Sequence, residues 1–170
     1  GDGPGYGFSS EMVNQLYAYY NLSDNVTFTL GNFNTFLGYE VISPVANFNY
    51  STSYMFSYGP FSHTGAKLDF SVSDDVSIML GVFNQTDQTE ANYDRYTAFG
   101  AQLGLYGQYI NYLGGDGYSQ IDFTGGIDLS DSFFLGINAT TASLEGDTGF
   151  AGVAPVSYTH LTLPTIPQVE

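Results

Sequence analysis

The chain has 170 residues, with 17 Asp or Glu against 2 Lys or Arg, a formal net charge of −15. Two cations cannot displace the counterions of a phosphate backbone, which excludes nucleic acid as a partner, and the absence of cysteine excludes disulfides, thiolate metal sites and thiol nucleophiles. Aromatics at 17 %, all Tyr and Phe, argue against disorder, and no apolar run reaches the about 18 residues of a membrane-crossing helix.

Apolar and polar residues alternate along most of the chain, the period-2 mark of strands with two different faces. The pattern predicts eight strands, at 13–21, 26–33, 61–72, 76–84, 95–104, 107–113, 118–129 and 133–142. Val26, Phe28 and Leu30 set one face of the second strand; Leu68, Phe70 and Val72 that of the third; Ile78, Leu80 and Val82 that of the fourth. Ile121, Phe123 and Ile127, then Leu135, Ile137 and Ala139, repeat it in the last two. Three joins share one plan, Leu22-Ser23-Asp24-Asn25-Val26, Val72-Ser73-Asp74-Asp75-Val76 and Leu129-Ser130-Asp131-Ser132-Phe133. Ser and Asp suit such turns because their side chains bond nearby backbone N–H groups. The other connections are longer and unequal: about Asn32 to Pro60, Asn84 to Tyr96, and Gly114-Gly115-Asp116-Gly117.

Short turns at one end and long loops at the other are the asymmetry of an outer-membrane barrel. The chain is read as all-β, an antiparallel up-and-down transmembrane β-barrel, here an incomplete barrel or curved sheet. A soluble or surface β-sandwich that binds carbohydrate through exposed tyrosines is the alternative. The uniform Leu, Ile, Val, Phe and Ala set on one face favours the barrel. So does the scarcity of Lys and Arg, the usual gatekeepers of soluble edge strands. Tyr17, Tyr19, Tyr20, Tyr54, Tyr58, Tyr109, Tyr112 and Tyr118 near strand ends read as an interfacial girdle.

The segment Leu30 to Gly65 carries a resemblance. Gly31, Phe33 and Thr35 end one strand; Gly38-Tyr39-Glu40 follows; then come Asn49, Ser51 and Ser53, and Pro60-Phe61-Ser62-His63-Thr64-Gly65 opens the next strand. These pieces, in this order, resemble the OmpL-like β-barrel porins of Gram-negative bacteria, over residues from about 12 to 145. The resemblance implies an outer-membrane location, contact with outer-membrane lipid, small solutes or ions as cargo, and no catalytic machinery or cofactor. It also implies a longer whole, with more strands than eight. Residues 156–170 resemble translated sequencing-adaptor read-through, so 1–153 is expected to be the partial barrel and 154–170 a non-native or disordered tail.

Chemistry is sparse. His63 lacks a placed Ser and Asp for a triad. Asp87, Glu90 and Asp94 offer oxygen ligands for Ca²⁺ but no glycine-centred loop, and no metal is expected. Alternation puts Lys67, Asp69, Gln102, Asp122 and Asp128 on the polar face, as pore-lining candidates with a cation-leaning balance. The segment 34–58 is too aromatic for a free loop, and Val41, Ile42, Val45, Phe48, Tyr50, Tyr54, Met55 and Phe56 are expected to seek burial. It either folds back into the lumen, with Tyr39 and Glu40 at a constriction, or forms another strand or rim packing. The function expected is a porin-like channel for passive diffusion of ions or small hydrophilic solutes.

Overall fold

The computed structural model describes residues 14–47, 49–87, 97–115, 117–145 and 147–159. They form nine strands: β1 (Leu16–Ser23), β2 (Val26–Asn34), β3 (Ser62–Ser73), β4 (Val76–Phe83), β5 (Ala98–Leu105), β6 (Gln108–Gly115), β7 (Tyr118–Ser130), β8 (Phe133–Leu144) and β9 (Asp147–Thr159). Each pairs antiparallel with its neighbour in sequence, giving one open sheet in the order β1 to β9. Eight strands fall where alternation puts them; the ninth corrects the count. β9 crosses the boundary expected at 153, with 154–159 paired to 133–138. Pro155 sits on this edge strand, where a sheet tolerates a residue without an N–H.

The three Ser-Asp hairpins are one structure repeated. Ser23, Ser73 and Ser130 each accept a hydrogen bond on Oγ from the backbone N–H two residues on, at 3.3 Å in every case. Each is also flanked by the same register break, which leaves Leu22, Val72 and Leu129 as the extra residue of a bulge. The β5–β6 join differs: Tyr106 and Gly107 both have positive φ, 52° and 76°, as a two-residue type I′ hairpin requires. All four turns lie at one end of the sheet, and the connections after β2, β4, β6 and β8 leave from the other.

Register separates the faces. Val26, Leu30, Leu68, Leu80, Leu103, Ile110, Ile121, Phe123, Leu135 and Ile137 share the outer one. Leu80 is 51 % exposed and Ile121 56 %. The inner face carries the segment 35–61. Beneath that segment Phe33, Met79, Phe83, Ala98 and Leu113 form the core with Leu37 of the segment, flanked by Phe36 and Tyr118.

Glycines on the inner face make room for rings lying flat on the sheet. A Cβ at Gly81 would lie 2.1 Å from Phe83 Cζ, and one at Gly100 2.4 Å from Phe83 Cε2 and 2.7 Å from Phe36 Cζ. The tyrosines correct the girdle expectation. Tyr17 meets the Phe33 ring edge-on at 6.4 Å, and Tyr19, Tyr109 and Tyr118 share the inner face by register. Tyr54 and Tyr58 belong to the inner segment. Of that set, Tyr20 and Tyr112 turn outward.

Candidate functional site

The inner face and the segment folded on it make the candidate site. The segment is anchored where it leaves β2 and where it rejoins β3. Thr35 N donates to Phe61 O at 3.0 Å, and Thr35 Oγ1 lies 2.9 Å from His63 Nε2. His63 is fully buried, with its ring 5.0 Å from both Phe36 and Phe83. That packing gives it a structural role in the loop base.

Further along, the segment reaches across the sheet. Gln102 Nε2 donates to Phe36 O at 3.2 Å, and Gly38 N donates to Asp122 Oδ1 at 2.9 Å. Gly38 has φ +73°, and a Cβ there would lie 3.2 Å from Asn138 Oδ1. Glu40 turns back to the segment itself. Its Oε1 accepts from Ser53 N at 2.7 Å, and its Oε2 accepts from Ser53 Oγ. Ser53 also caps the short helix α1 (Tyr54–Tyr58), its Oγ accepting from Phe56 N. Burial, and then the Glu40 charge, push the Tyr39 phenol above its ordinary range.

The segment therefore lies on the inner face; it is not another sheet strand. Its burial is more selective than its composition implies. Val45 and Tyr50 are each 95 % exposed, Ile42 and Tyr54 are exposed too, and Phe48 lies outside the described residues. Leu37 is what enters the core.

Four side chains, one per strand, join β5 to β8 in a polar ribbon. Gln102 Nε2 donates to Asn111 Oδ1 at 2.7 Å, Asn111 Nδ2 to Asp122 Oδ1 at 2.8 Å, and Asn138 Nδ2 to Asp122 Oδ2 at 2.5 Å. Thr124 Oγ1 adds a further donor to Asp122 at 3.0 Å. Asp122 is 1 % exposed, its charge met by four donors as burial demands. Between ribbon and segment is a cavity of about 30 Å³ lined by Glu40, Gln120, Asp122 and Thr140 among others, room for a water or two.

The five pore-lining candidates all share the inner face, but in different states. Asp122 and Gln102 are engaged as above. Lys67 Nζ pairs with Asp69 Oδ2 at 2.8 Å and stands 5.6 Å over the Phe33 ring. Asp128 is exposed near the turn end. Asp87 holds the mouth of β3, accepting from Phe61 N at 2.8 Å and Ser62 N at 2.9 Å. Desolvation lifts its carboxyl above the usual range, against the pull of those two bonds. Glu90 and Asp94, its expected companions for Ca²⁺, lie outside the described residues.

Most of the motif residues help seat the segment on the inner face. Gly31 pairs with Gly65, and a Cβ on Gly31 would meet Leu16 O at 2.4 Å. Phe33 is core, Thr35 meets His63, Gly38 meets Asp122, Glu40 meets Ser53, Pro60 is buried and Thr64 Oγ1 accepts from Asn32 Nδ2 at 3.0 Å. Asn49 and Ser51 are exposed, and nothing in the structure explains them. Residues 4–162 match the model of the family described as Putative beta-barrel porin-2, OmpL-like. The chain belongs to this OmpL-like porin family. Searches of curated proteins and of solved structures gave no match. The open nine-stranded up-and-down antiparallel sheet is consistent with part of the β-barrel that the family's description names. Sequence reasoning missed the Phe33, Met79, Phe83 and Leu113 core under the segment. Its signal was present as apolar residues in the otherwise polar phase of β2, β4 and β6.

Proposed function

We propose that this chain forms the wall of a passive outer-membrane channel for ions or small hydrophilic solutes, narrowed by the segment 35–61. One observation carries the reading. The sheet turns a continuous apolar face outward, and among the described residues no second sheet covers it. The opposite face holds charged and amide side chains under a folded-in segment. Lipid is the environment that rewards such an outer face, once the free edges of β1 and β9 are paired as closure into a barrel would pair them. The turn end would face the periplasm, as short turns do in outer-membrane barrels.

The channel leans toward cations. Asp69 is offset by Lys67 and Asp122 is withdrawn by its donors, so exposed Asp128 is the carboxylate of the five candidates that acts on passing ions. Charge on a wall backed by low-dielectric protein and lipid raises the local concentration of counter-ions.

Reconstitution into planar bilayers tests this. Discrete conductance steps, with recovery of the protein in the outer-membrane fraction, are expected. Recovery in the soluble fraction with no conductance would overturn the channel and favour the carbohydrate-binding sandwich.

A further inference from the structure

At the turn end of the inner face, beyond the tip of the folded-in segment, lies a cavity of about 300 Å³. That is the low end of the size range for small-molecule sites. Tyr39 of the segment, Tyr109 of β6 and Phe134 of β8 supply rings to its lining. Gly126 and Gly136, paired across β7 and β8, lie in its floor. Phe134 lies flat on both: a Cβ at Gly126 would be 2.2 Å from its Cζ, and one at Gly136 2.9 Å from its Cε1. Tyr109 lies in the same way on Gly104, whose Cβ would be 3.0 Å from Tyr109 Cε1. The glycines therefore lower two rings against the sheet and deepen the space above them.

The polar lining is limited and largely occupied. Gln108 Nε2 donates to Gly126 O at 2.8 Å, while its Oε1 accepts from Gly126 N at 3.0 Å. Thr124 Oγ1 donates to Asp122. No Asp, Glu, Lys, Arg or His is among the described lining residues. A charged solute would lose its hydration with no counter-charge in return. A sugar would bring more hydroxyls than this lining has partners for, and unpaired buried hydroxyls are costly. A flat ring with one or two polar groups matches both the aromatic lining and the few remaining donors and acceptors.

We propose that this pocket binds neutral aromatic solutes carrying one or two polar substituents. The inference deepens the channel reading and rests on it for the route by which a solute arrives.

The test uses 4-fluorophenol, neutral at neutral pH, followed by ¹⁹F NMR against the full chain in lipid bilayers. Partition into lipid is linear in concentration, whereas a site saturates. A saturable shift is expected. Tyr109→Ala should weaken it about tenfold through loss of one stacking ring, and Tyr109→Phe should retain it. Tyr39→Ala, on the segment and not in the sheet, should also weaken it and covers the case in which Tyr109→Ala does not fold. Leu80→Ala on the outer face should change nothing. A shift that never saturates, one indifferent to both ring deletions, or one displaced by equimolar glucose overturns the proposal. Conductance without saturable binding removes the pocket alone; saturable binding without conductance removes the channel and leaves the pocket.

Discussion

Gly38 N–H donates to Asp122 Oδ1 at 2.9 Å across 84 residues of sequence, and the same carboxylate gathers Asn111, Thr124 and Asn138. One buried acid thus ties the folded-in segment to three strands. Asp122→Ala strands all four donors. With hydrogen bonds to a charged group at about 1.5–3 kcal/mol each and partial compensation by water, the loss should be on the order of 3 kcal/mol. Limited proteolysis should then cut within 35–61, and single-channel conductance should rise. An unchanged cleavage pattern and conductance would show that the segment is held elsewhere.

The outer face gives a paired prediction. Leu80→Arg places a cation in lipid and should cost about 2–4 kcal/mol near the bilayer midplane. Ser77→Arg, on the inner face of the same strand, should refold almost normally. Refolding yields and denaturant midpoints in bilayers measure both, and equal damage would contradict the assignment of faces.

Rings on glycines make the inner face intolerant of the smallest addition. Gly81→Ala drives a Cβ into the Phe83 ring, which is buried and hemmed in by Phe33 and Phe36. Overpacking of this kind costs about 1–3 kcal/mol. Phe83→Leu should recover part of that loss in the double variant, because it removes the ring that clashes. Unfolding midpoints of the two singles and the double give the coupling, and strict additivity would refute the contact.

Selectivity should respond to Lys67 and Asp128 in opposite ways. Lys67→Gln leaves Asp69 uncompensated and should move the reversal potential toward cations. Asp128→Asn should move it away. Both effects should fade between 0.1 M and 1 M salt, as the Debye length falls from about 10 Å to about 3 Å. Identical potentials in the two variants at low salt would end the cation-leaning reading.

Strand placement was legible because the two faces of the sheet differ in polarity, and Leu68-Asp69-Phe70 or Ile121-Asp122-Phe123 records that in period two. The hairpins were legible through Ser23, Ser73 and Ser130. β9 was not, since Phe150, Val153 and Val156 place apolar groups on both sides of the strand and no alternation survives. Tyr17 and Tyr109 were misread because nearness to a strand end says nothing about face, whereas their partners Gly31 and Gly104 decide it. Asp122 was seen as polar-face charge, but its burial depends on Gly38, which sequence alone does not bring near.

In an up-and-down sheet direction alternates, so β1 and β9, the first and last of nine, point the same way. Joined to each other they would meet in a parallel seam. Every antiparallel closure instead takes an odd number of intervening strands. An antiparallel ring built on the nine strands of the described residues would therefore take an odd number more and be even-numbered, as bacterial single-chain barrels are.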